Sequence, residues 1–141
     1  MTMKNDYADT CIRGVRKAEW IVDGIISSLV FEPDFRTCDQ RDDRGYETSI
    51  NWEDNDQAVS YTLRQPIAKF GALRLPRKAI DLVNEKPQST NSLKYERKIS
   101  QDNRDNPYHG NIVYLHDVPR PKIKQIAATL ALEITDIFPP K

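Results

Sequence analysis

The C-terminal segment constrains the fold most. Ile123, Ile126, Ala127, Leu130, Ala131, Ile134, Ile137 and Phe138 recur at the three- and four-residue intervals of one helical face. Lys122, Lys124, Gln125, Thr129, Glu133 and Asp136 fill much of the remainder. Pro119 or Pro121 fits a first helical turn, and Pro139-Pro140 stops the helix. The spacing predicts an amphipathic helix over about 120–137. Such a helix needs something to cover its stripe, and the rest of the chain reads as a sheet.

β-type composition appears at Thr10–Val15, Trp20–Val22, Ile25–Phe31, Tyr46–Trp52, Phe70–Leu75 and Tyr108–Leu115. Asp23-Gly24 separates two such runs and predicts a tight hairpin, since glycine takes positive φ without strain. Pro33 ends the second run. Asp54-Asn-Asp-Gln carries cap residues before Ala58, Val59, Thr62 and Leu63, which predicts a helix of about three turns near 54–64, bounded by Pro66. Pro76 to Ile80 reads as a single helical turn leading to Leu82-Val83. Lys94–Ile99 fits an added edge strand or part of a long loop, and Tyr108–Leu115 a central strand. Polar loops are expected at 34–45 and 85–106. Strands in runs with few helices favour an α+β fold with a mostly antiparallel sheet, in one domain of 141 residues.

Charge limits the function classes. The chain holds 21 basic and 21 acidic residues, so no general field favours nucleic acid, anionic membrane or an acidic substrate. Residues 1–70 carry 9 basic and 13 acidic groups, and residues 71–141 carry 12 and 8, a dipolar split that hints at a protein partner. The start lacks an apolar leader, and no apolar stretch reaches the roughly 20 residues of a membrane span. Cys11 and Cys38 are read as reduced thiols of a cytoplasmic protein.

Nucleotide-loop, hydrolase-elbow, zincin and paired-cysteine motifs are all absent. His109 and His116 would point to opposite faces of one strand, so no metal or other cofactor is expected. His109, in Asp105-Asn-Pro-Tyr-His-Gly-Asn111, is a candidate proton carrier, or else it and Asn106 brace the strand entry through backbone hydrogen bonds. Arg13, inside a β-run, must face solvent, pair with an acid or grip an anion, and pairing with an acid is the favoured reading. Ser27 and Ser28 lie on the next run. Trp20 and Trp52 read as core or rim, with Trp52 also a candidate interaction residue. Lys94, Tyr95, Arg97 and Lys98, with Arg104, form a basic stretch containing an aromatic ring, a candidate interaction surface.

Arg13-Gly14, Asp23-Gly24-Ile25-Ile26-Ser27-Ser28 with Phe31, Ser49-Ile50-Asn51-Trp52, Phe70-Gly71 and Asn106-Pro107-Tyr108-His109-Gly110-Asn111-Ile112 together resemble a group of small bacterial proteins with no established activity. The resemblance spans roughly residues 11–115 and implies a bacterial source and a stand-alone domain. The Arg-Gly strand followed by a serine strand is also similar to ADP-ribosyltransferases, in which arginine grips the dinucleotide and serine frames nicotinamide. That likeness requires a catalytic glutamate, for which Glu47, Glu53 and Glu96 are the candidates.

Three functions follow in order of preference. The first is a non-enzymatic accessory or protein-interaction module of a bacterial multi-protein system, of a defence or regulatory kind. The second is a small nucleotide-binding or ADP-ribosyltransferase-like enzyme using Arg13, Ser27 or Ser28, and His109. Nucleic-acid binding through the 94–104 stretch is the least favoured.

Overall fold

A computed structural model describes residues 7–33, 45–87, 92–97, 106–115 and 117–141. The chain is α+β. In order it forms β1 (Thr10–Gly14), β2 (Ile21–Val22), β3 (Ile25–Ile26), β4 (Tyr46–Trp52), α1 (Ala58–Leu63), β5 (Ala72–Pro76), α2 (Arg77–Glu85), β6 (Leu93–Arg97), β7 (His109–Tyr114), α3 (Arg120–Ala131) and β8 (Asp136–Phe138). Short 3-10 turns lie at Ala18–Trp20, Ser28–Val30 and Pro66–Ala68. Six strands make one sheet in the order β6-β7-β4-β1-β5-β8, and every neighbouring pair is antiparallel. β2 and β3 form a separate hairpin.

The register assigns each side chain to a face. Cys11 opposes Trp52 and Leu75, and Ile50 opposes Gly110. These residues, with Leu73, Ile112 and Tyr114, join Ile80, Val83, Ile123, Ile126 and Leu130 of α2 and α3 in one core. Alternation sends their neighbours to the other face, where Asn51 opposes both Ile12 and His109. There α1 covers part of the sheet, anchored by Asn51 Nδ2 donating to Thr62 Oγ1 at 2.8 Å. Gly14 is also on this face. A β-carbon there would come 2.7 Å from the Ile67 carbonyl oxygen, so only glycine admits the 66–68 turn so close.

Several boundaries differ from the sequence reading. The C-terminal helix ends at Ala131 rather than near 137, and Asp136–Phe138 becomes a strand on the edge of β5. The helical spacing runs on through Ile134 and Ile137. The edge of β5 instead offers ladder pairing to Asp136, Ile137 and Phe138, and Arg74 takes the Asp136 carboxylate at 2.8 Å. α1 has six residues, under two turns, and α2 is a full helix rather than a single turn. β7 lies second from the edge, while β4 and β1 are central. The Lys94–Ile99 run is an edge strand over Leu93–Arg97. Loop 34–44, most of 85–106, and Cys38, Lys98, Arg104 and His116 lie outside the described residues.

Ile25–Phe31 is strand only for its first two residues. From Ser28 the chain turns 3-10, because side chains of the main sheet capture its carbonyls. Phe31 O accepts from Thr48 Oγ1 at 3.2 Å and from Tyr114 Oη at 2.8 Å. Val30 O accepts from Arg13 Nε at 2.8 Å.

Candidate functional site

Arg13 is 6 % exposed, on the same face of β1 as Cys11, the side covered by α2 and α3. Its second donor, Nη1, reaches Ser49 O at 2.9 Å, and its guanidinium carbon lies 5.2 Å from the centre of the Trp20 ring. Arg16 stacks on the same ring at 5.5 Å. Among the described residues the partners of Arg13 are neutral carbonyls and an indole face, which spread its charge, rather than a carboxylate. Burial, and then the charge of Arg16, pull the guanidinium down to about 10, so it stays protonated at neutral pH. Its role is to tie the 28–31 turn to the sheet.

The serines are committed nearby. Ser27 Oγ accepts from the Leu29 N–H at 3.1 Å and caps the 3-10 turn. Ser28 Oγ donates to Glu32 Oε2 at 2.7 Å.

His109 occupies the opposite face of the sheet from Arg13. It opposes Asn51, which opposes Ile12, and Arg13 is the next residue along β1. Its N–H donates to Asn106 O at 3.3 Å. Asn106 in turn accepts from Tyr108 N–H at 3.1 Å and donates to Asn51 Oδ1 at 3.1 Å. The Asn106 side chain thus braces the entry to β7, and His109 enters these bonds through its main-chain N–H. Arg13 and His109 therefore line no common cleft.

The candidate glutamates are dispersed. Glu53 receives Arg74 through both oxygens, at 2.8 and 2.6 Å, and the Thr10 hydroxyl at 2.6 Å. The Arg74 hydrogen bonds hold its carboxyl below the usual carboxylate range, and Asp136 is lowered by the same guanidinium. Glu53 thus ties β1 to β5, and Arg74 carries the tie on to Asp136 of β8. Glu96 lies on β6 and accepts from Asn111 Nδ2 at 3.3 Å. Glu47 lies on β4, opposite Val113.

Of the interaction candidates, Trp52 is buried, its Nε1 donating to Glu96 O at 3.1 Å. Tyr95 is half-buried, its ring 5.5 Å from Trp52 and 4.9 Å from Tyr7, and its hydroxyl donates to Asp81 at 2.8 Å. That packing occupies a face a base would need for stacking. Arg97 bridges Asp54 at 2.6 and 2.9 Å. Lys94 is exposed. Among the described residues no group of three or more His, Cys, Asp or Glu is placed to hold a metal ion. No described helix is long and apolar enough to cross a membrane.

Sequence reasoning passed over the hairpin tip as a contact surface. Asp23 and Gly24 take φ of 53° and 77°, the turn that suits a two-residue hairpin. Ile21 and Ile26 oppose one another and pack against the core, and Ser27 N–H donates to Trp20 O at 2.8 Å. The next pair, Val22 and Ile25, is 55 % and 74 % exposed. The available signal was apolar residues in consecutive positions on both sides of the turn, where a one-faced hairpin would alternate. Compared with known proteins, the chain matches no family model, no curated protein and no solved structure.

Proposed function

We propose that this chain is a non-enzymatic protein-interaction module, and that the β2–β3 hairpin carries the contact. One observation carries the reading: an anchored hairpin presents the paired Val22 and Ile25 side chains to solvent. Exposed apolar residues scattered singly need no explanation, whereas Val22 and Ile25 face each other across the turn and join into one exposed apolar surface. The commitment of Arg13, Ser27, Ser28 and Glu53 to hydrogen bonds within the fold supports the same reading. A bacterial source is what the motif resemblance implies.

The test is an affinity pull-down from the source cells, read by quantitative mass spectrometry, with wild type beside the Val22→Asp/Ile25→Asp double variant. Both side chains are exposed, so the variant should keep the wild-type melting temperature. A stoichiometric partner held by wild type and lost from the variant is the expected result. A partner retained by the variant, or none with wild type, overturns the proposal.

A further inference from the structure

The Trp20 ring carries two cations. The Arg13 guanidinium carbon lies 5.2 Å from the ring centre, and that of Arg16 lies 5.5 Å from it. Stacking occupies the face of a guanidinium and leaves the N–H groups on its edge available to an acceptor. Arg13 commits Nε to Val30 O and Nη1 to Ser49 O, and no acceptor meets Nη2 among the described residues. Every fully buried polar side-chain atom of the described residues has a partner, so Nη2 reaches solvent although the residue is otherwise buried. Arg16 is exposed, and stacking on Trp20 is its described contact.

That arrangement lacks a counter-charge. A buried guanidinium calls for an anion or a full set of acceptors, and a second cation beside it adds repulsion. Arg16 accordingly joins burial in drawing the Arg13 guanidinium down. Glu32, on the turn that Arg13 fastens, is engaged by Ser28 Oγ instead. An anion from outside the chain would satisfy Nη2 and offset both charges through charge-assisted hydrogen bonds.

We infer that Arg13 Nη2 and Arg16 form a carboxylate-binding site, filled by an acidic segment of the protein partner that docks on the hairpin. The site stands on its own geometry, while its occupant rests on the hairpin reading. Trp20 leads directly into β2, and its carbonyl accepts from Ser27 N–H at the foot of the hairpin. Val22 follows two residues later, about 7 Å of extended chain. One peptide segment can therefore lay apolar side chains on Val22 and Ile25 and a carboxylate on the guanidinium edges. A carboxylate matches the planar fork of a guanidinium, and arginine and tryptophan are among the residues on which interfaces concentrate binding energy.

The experiment selects peptides from a random phage-displayed library on the folded wild-type protein and measures their affinities by fluorescence anisotropy. Wild type is compared with Arg16→Glu, Lys17→Glu and Val22→Asp/Ile25→Asp, with melting temperatures recorded for each. Selected peptides should carry Asp or Glu beside apolar residues. Arg16→Glu should bind them roughly tenfold more weakly. Lys17→Glu makes the same charge change on an exposed neighbour outside the Trp20 stack and should alter their affinity little. The Trp20 indole N–H resonance should shift as peptide is added to wild type. No selected peptide, peptides without a carboxylate, equal losses from Arg16→Glu and Lys17→Glu, or an unmoved indole resonance would each overturn the inference. Peptides lost from Arg16→Glu but kept by the hairpin double variant would leave the carboxylate site standing and overturn the hairpin reading. The opposite pattern would overturn the site and leave the hairpin reading in place.

Discussion

Trp52 on β4 reaches across the whole width of β7 to Glu96 on β6, its indole N–H passing over Gly110 to the Glu96 carbonyl 3.1 Å away. A β-carbon on Gly110 would collide with the indole and with that carbonyl. Three strands are therefore fastened by one side chain that only glycine lets through. Gly110→Ala should destabilise the protein by about 1–3 kcal/mol, the usual cost of overpacking a core. Urea unfolding checks this, and an unchanged midpoint would contradict the crossing.

Arg13 fastens the 28–31 turn by donating to two carbonyls. Arg13→Met keeps the apolar stem and leaves both acceptors without their donor, which should cost about 2–4 kcal/mol. Arg13→Lys should recover little of it, because an ammonium cannot reproduce the guanidinium fork and its stacking on Trp20. Chemical denaturation of the two variants beside wild type measures the difference.

Glu53 and Asp136 are both held below their ordinary values of 4.5 and 3.8, chiefly by hydrogen bonds from Arg74. In the window between the lowered folded values and the ordinary unfolded ones, the unfolded chain binds more protons. The stabilisation is thus complete above the ordinary values and disappears as pH falls through the folded ones. Wild type should lose stability steeply below about pH 4. Glu53→Gln should be less stable at neutral pH and show a shallower acid slope, read from urea midpoints across pH.

Burial pushes the Cys11 thiol up to about 12, so almost no thiolate exists at neutral pH. Iodoacetamide should leave the peptide carrying Cys11 unmodified in the native protein and alkylate it fully in denaturant, as mass spectrometry would show. Labelling of native Cys11 at the rate of a free thiol would contradict its placement.

Local chemistry made much of the fold legible. The period of two at Tyr46–Trp52, the Asp23-Gly24 turn and the stripe from Ile123 to Ala131 each act over a few residues, so the sequence displays them. The bracing of the β7 entry by the Asn106 side chain was legible for the same reason, as a short turn signature. Arg13 was legible as a costly position, though its partners were not. They are backbone carbonyls of residues 30 and 49, which carry no side-chain signature.

The sequence by itself determined which segments could be strand or helix and that they compose an α+β chain, because propensity, periodicity and turn chemistry are local. Tertiary structure decided the rest. It ended the last helix at Ala131, since an open strand edge and Arg74 outcompete one more helical turn for Asp136–Phe138. It set Arg13 and His109 on opposite faces of one sheet, since a strand's side chains alternate and the register is fixed only when distant strands pair. It left Val22 and Ile25 in solvent while packing Ile21 and Ile26, half-buried, against the core, since which face of a hairpin meets the core depends on where the rest of the chain lies.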